Sequence, residues 1–112
     1  SINDSFKYHE IAPELLHDLR EQLKTFPNLA TAHLVQKVVH HFPQEQSYVL
    51  GITSKRAWYK WQSNAQDGKL VNELAQQLNF PGFILIIPFE QNYKPLRKSF
   101  ERVQGSEIYR AA

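Results

Sequence analysis

The chain contains no cysteine, so disulfides, zinc-thiolate sites and thiol nucleophiles are excluded, and a reducing compartment is the natural setting. Cytoplasm is therefore the expected location. Methionine is absent too, and the chain opens on Ser1, which leads us to expect a domain cut from a longer protein. Its four glycines, Gly51, Gly68, Gly82 and Gly105, are isolated, and neither a GxGxxG nor a GxxxxGK pattern occurs. A phosphate cradle of the known kinds is thus absent. The longest apolar run, Phe83 to Phe89, is far short of the roughly 20 residues that span a bilayer, so no membrane association is expected. The first residues, SINDSFKYHE, also lack the apolar stretch of a signal peptide.

Charge of one sign is scarce as well. A net charge of +2 on 112 residues falls well below the basic density that makes nucleic acid the default partner of a small domain. What is present is ordinary globular material, 42% hydrophobic and 21% charged, and the length suits one domain with one core. Residues 1–112 are read as a single α+β unit.

Ser5 to Ile11 alternates and reads as a short strand. Pro13 then opens a helix, with Leu15, Leu16, Leu19 and Leu23 at helical spacing, ending by Thr25 ahead of Pro27. β-Branched residues rise from Thr31 to Phe42, and Tyr48, Leu50 and Ile52 alternate from Ser47 to Thr53. The two segments predict a hairpin turning at Pro43 to Glu45. Leu70, Val71, Leu74 and Leu78 mark a second helix near Ala65 to Asn79, with Gly68 weakening its start. Phe83 to Ile87 is apolar without alternation, which predicts a strand in the middle of the sheet, covered on both faces. Pro95 opens a short helix bearing Leu96, Phe100 and Val103, and after Gly105 an extended piece, Glu107 to Arg110, closes the chain. This order predicts a split β-α-β (ferredoxin-like) sandwich: two helices on one face of a mixed or antiparallel sheet, plus a short C-terminal helix.

Candidate chemistry is sparse. His40 and His41 fall on opposite faces of a regular strand, and His33 and His41, on one face, are roughly 26 Å apart at ~3.3 Å per residue. No metal site is expected. Ser47, Ser54, Ser63 and Ser99 sit in no nucleophile motif, and Glu14, Asp18 and Glu21 occupy the helix face that the leucines leave to solvent. We expect neither a catalytic residue nor a cofactor, and no small-molecule ligand.

One stretch is unusual: SKRAWYKWQ interleaves Lys55, Arg56 and Lys60 with Trp58, Tyr59 and Trp61. Aromatics among cations suit a protein interface, or single-stranded nucleic acid through base stacking and phosphate contacts. They suit better still tryptophans that close the core while the cations reach into water. Lys94, Arg97, Lys98 and Arg102 form a second basic group, read as the solvated side of the last helix.

The helix PELLHDLREQLKTFPNLATAHLVQ, the strand end YVLGIT, the helix LVNELAQQL, the apolar strand and the closing KPLRKSFERVQGSEIYR together resemble the C-terminal domain of the enhanced serine sensitivity protein (SseB) family. Pro27, Leu29 and Ala32 of a P-x-L-x-x-A turn and the closing Ile108-Tyr109-Arg110 carry the resemblance, which runs from about Pro13 to Arg110. It implies a bacterial, cytoplasmic, non-enzymatic module, usually the second half of a two-domain protein, with no catalytic residue to carry over. The expected function is protein interaction or regulation, through a protein partner or self-association at the patch or at a free sheet edge. Single-stranded nucleic-acid binding by the same patch is the alternative.

Overall fold

Pro13 starts the first helix, α1 (Pro13–Leu23), because its fixed φ suits the first turn and its missing N–H would have no partner there. Ala12 precedes it in extended conformation, and its carbonyl accepts the Leu16 N–H at 2.9 Å. Glu14 in the first turn and Arg20 in the last lie where the helix dipole favours each sign. Leu19 and Leu23 are fully buried, and Phe26 and Leu29 continue that apolar surface past the helix end. The computed structural model describes residues 5–38, 47–55, 63–89 and 94–112.

Around α1 the chain lays down β1 (Ser5–Tyr8), β2 (Leu29–Val38), β3 (Ser47–Ser54), α2 (Ser63–Gln77), β4 (Ile84–Pro88), α3 (Lys94–Glu101) and β5 (Glu107–Arg110). The five strands make one mixed sheet in the order β1-β2-β3-β4, with β5 also on β2. β1 and β5 share one edge of β2: Ser5 to Tyr8 pair with Val38 to Val35, and Arg110 to Glu107 pair with Thr31 to His33. Both pairings are antiparallel, as is β2 with β3, while β3 and β4 run parallel.

Strand alternation divides the side chains between two layers. Ala32 and Leu34 of β2, Tyr48, Leu50 and Ile52 of β3 and Ile108 of β5 are buried in one cluster with Leu19 and Leu23 of α1 and Leu70 and Leu74 of α2. Each such leucine taken fully out of water contributes on the order of 1.5–3 kcal/mol. Gln22 ties α1 to the segment just past α2: its side-chain amide donates to the Asn79 carbonyl at 3.0 Å, and its oxygen accepts the Asn79 N–H at 2.6 Å. On the opposite face Val35 and Val49 are buried with Phe89 and with Phe100 of α3, and Phe6, Ile87, Leu96 and Val103 pack around them.

The α+β class and the two helices on one face match the sequence reading, and α3 takes the other face. Two expectations need correction. The strands flanking α2 lie side by side, with no third strand between them, so the sheet does not have the split order. β4 stands at the end of the sheet, pairing with β3 alone among the described strands, rather than in its middle. Its run is apolar because Ile84 and Ile86 face the main core and Ile87 the second one, while Phe83 and Leu85 remain 68% and 49% exposed. The expected turn at Pro43 to Glu45 lies outside the described residues.

Candidate functional site

The outer edge of β4 is built by the alternation of its backbone groups. The Phe83 carbonyl accepts the Tyr48 N–H and the Phe89 N–H donates to the Ile52 carbonyl at 2.8 Å, so the odd-numbered residues turn their peptide groups toward β3. Ile84, Ile86 and Pro88 therefore turn theirs outward. Pro88 has no N–H to offer, and it occupies one of the outward positions where a sheet tolerates proline. With no partner on that side among the described residues, the edge presents the Ile84 and Ile86 N–H groups and three carbonyls, and no charged side chain occurs from Phe83 to Phe89. Exposed edges usually carry lysine, a bulge or inward charge to prevent pairing. This one carries only its proline.

A second feature lies across the sheet. His33 of β2, Glu101 at the end of α3, Glu107 of β5 and the intervening Val103, Gln104, Gly105 and Ser106 line an open groove of about 510 Å³. His33 is 3% exposed, and Phe89 places its ring 6.0 Å away, edge on. The imidazole Nε2 lies 3.8 Å from a Glu107 carboxylate oxygen, while Nδ1 is buried with no hydrogen-bond partner among the described residues. Arg110 holds Glu107, depressing its carboxyl pKa, and Arg97 donates to Glu101 at 3.2 Å. Burial lowers the His33 pKa below the usual 6.5, the neighbouring glutamates only partly opposing it.

His9 is buried as well, between β1 and α1, with Nδ1 accepting the Ile11 N–H at 3.1 Å. Burial first, then the charge of Arg20, lowers its pKa below 6.5. A proton on Nδ1 would also break the bond to Ile11. For both histidines the unfolded chain binds a proton near pH 6.5 while the native state resists it, so the unfolded state holds more protons between the two pKa values. Stability is accordingly expected to be level above about pH 7 and to fall as pH drops through about 6.5 toward 5. Urea midpoints measured across this range check it. Replacing His33 with Gln should flatten the decline, and a midpoint constant to pH 5 would contradict the assignment.

Of the sequence-predicted patch only Lys55 is described: it is exposed and its N–H donates to the Asn28 carbonyl at 2.7 Å. Arg56, Trp58, Tyr59, Lys60 and Trp61 lie outside the described residues, as do His40 and His41. Glu14, Asp18 and Glu21 are exposed on α1, as expected. Among the described residues no group of three histidine or acidic side chains could hold a metal ion, and no helix is long and apolar enough to cross a membrane. Sequence reasoning missed the His33 groove because its members are far apart in the chain. It passed over the β4 edge although Pro88 was the signal. No protein-family model, characterised protein or solved structure matches the chain.

Proposed function

We propose that this chain is a non-catalytic protein-interaction module of the SseB-like kind, acting in a bacterial cytoplasm. Its β4 edge accepts an extended strand from a partner protein. The observation that carries the reading is the uncharged β4 edge, with Phe83 and Leu85 exposed beside outward-facing peptide groups. An added strand would use the free N–H and carbonyl groups for affinity, and the exposed side chains would supply selectivity. The basic-aromatic stretch Lys55 to Trp61 is a further part of the proposed interaction surface, adjoining the end of β3 in sequence.

A library of short peptides displayed on phage, selected against the full chain, is expected to enrich uncharged, β-branched sequences. The double variant Phe83→Lys/Leu85→Lys should bind them at least tenfold more weakly at unchanged stability, because both side chains are already solvated. Equal binding by the double variant would overturn the reading. Sedimentation of the unliganded chain identifies the remaining occupant: a dimer dispersed by the same variant would make the added strand a second copy of β4.

A further inference from the structure

The groups around His33 come from every element packed against it. β5 brings Glu107 and Arg110, α3 brings Arg97 and Glu101, the segment after β4 brings the Phe89 ring, and Gly51 of β3 lies opposite in the ladder. Both carboxylates are occupied by their own arginines, Glu107 by Arg110 and Glu101 by Arg97. A proton on this imidazole would be opposed by burial and favoured by both carboxylates, which the two guanidinium groups only partly offset.

The roof over His33 is narrow. Residues 102–106 turn back from α3, with Gly105 at φ 82°; the Arg102 and Val103 N–H groups bond back to the Lys98 and Phe100 carbonyls, and three bonds centre on Ser106: its N–H to the Val103 carbonyl at 3.1 Å, its hydroxyl to the Phe100 carbonyl at 2.8 Å, and the Leu34 N–H to its carbonyl at 2.8 Å. The β2–β5 register shifts between Ala32 and His33, so the ladder is already interrupted at this point. β5 itself is anchored beyond the turn by buried Ile108, whose carbonyl accepts the Arg20 Nε–H at 2.8 Å. The turn can therefore open while β5 stays in place.

We propose that His33 is a proton-operated latch: neutral, it lets the turn of residues 102–106 close over β2, and charged, it drives that turn off β2 toward water. Opening would uncover the imidazole and free the Leu34 N–H at the junction where β1 and β5 meet along β2. Burial opposes the proton in the closed state, Glu107 and Glu101 favour it, and Arg97 and Arg110 add to the opposition. The open state has no such burial, so acidification shifts the balance toward opening.

Hydrogen exchange of the full chain at pH 7.0 and 5.5, corrected for intrinsic rates, tests the latch. The Leu34 and Ser106 amides are expected to open more often by up to about tenfold per pH unit below the ordinary histidine pKa, and to exchange well ahead of the β3 amides, which report global unfolding, at both pH values. His33→Gln should abolish this local response, and His9→Gln should retain it. Glu107→Gln, which removes a carboxylate that favours the proton, should enlarge it. Leu34 and Ser106 exchanging no faster than the β3 amides, no rise on acidification, or a response surviving in His33→Gln would overturn the latch. Should His33→Gln fail to fold, a response unchanged in Glu107→Gln would overturn it as well.

Discussion

Phe100→Ala is expected to destabilise the domain by about 3–5 kcal/mol, read as a drop in the urea midpoint at unchanged slope. Phe100 is fully buried, and it alone among the described α3 side chains reaches that depth. Its ring meets Phe89 edge to face at 5.0 Å and Phe6 at 4.8 Å, so it joins α3, β1 and the segment after β4 over Val35 and Val49. Truncation would remove the largest fully buried side chain of the second core layer, and the backbone on either side cannot collapse into the space without moving α3. Phe100→Leu should cost about 1–2 kcal/mol, because most of the volume is kept. A loss under about 1 kcal/mol for the alanine variant would mean that α3 is not packed as described.

Gly51→Ala should cost about 1–3 kcal/mol, against the usual small gain from replacing a strand glycine. A Cβ at Gly51 would lie 1.9 Å from the Phe89 ring, a separation no packed structure tolerates. The ring has little freedom to yield, being held by Phe100 on one side and His33 at 6.0 Å on the other. The Phe89 N–H is bonded to the Ile52 carbonyl, which fixes its backbone alongside β3. The paired variant Gly51→Ala/Phe89→Ala tests the cause, since removing the ring should make the alanine methyl nearly free of further cost. A strongly additive result would place the clash elsewhere.

These two residues also show how far the sequence was legible. Local period carried most of the elements: Leu15, Leu16, Leu19 and Leu23 marked α1, and Tyr48, Leu50 and Ile52 marked the buried face of β3. Pairing is a non-local property, and there the pattern misled. Phe83 to Ile87 looked like a central strand because composition reports burial of side chains and says nothing about which backbone edge is occupied. Pro88 held that information. Gly51 likewise announced a close approach in the middle of a strand, but only the fold reveals that the approaching group is Phe89. His33 carried no local sign of its surroundings, since Glu101 and Glu107 reach it from about seventy residues away. Of the predicted Lys55 to Trp61 patch, the fold places Lys55 just beyond the end of β3.

The β4 edge is the centre of the account, and nuclear magnetic resonance of the isotopically labelled chain with a selected peptide addresses it most directly. Strand addition predicts large shifts and new protection at the Ile84 and Ile86 amides, which face outward, and little change at the Leu85 and Ile87 amides, which face β3. Shifts centred away from β4, with Ile84 and Ile86 unmoved, would contradict it.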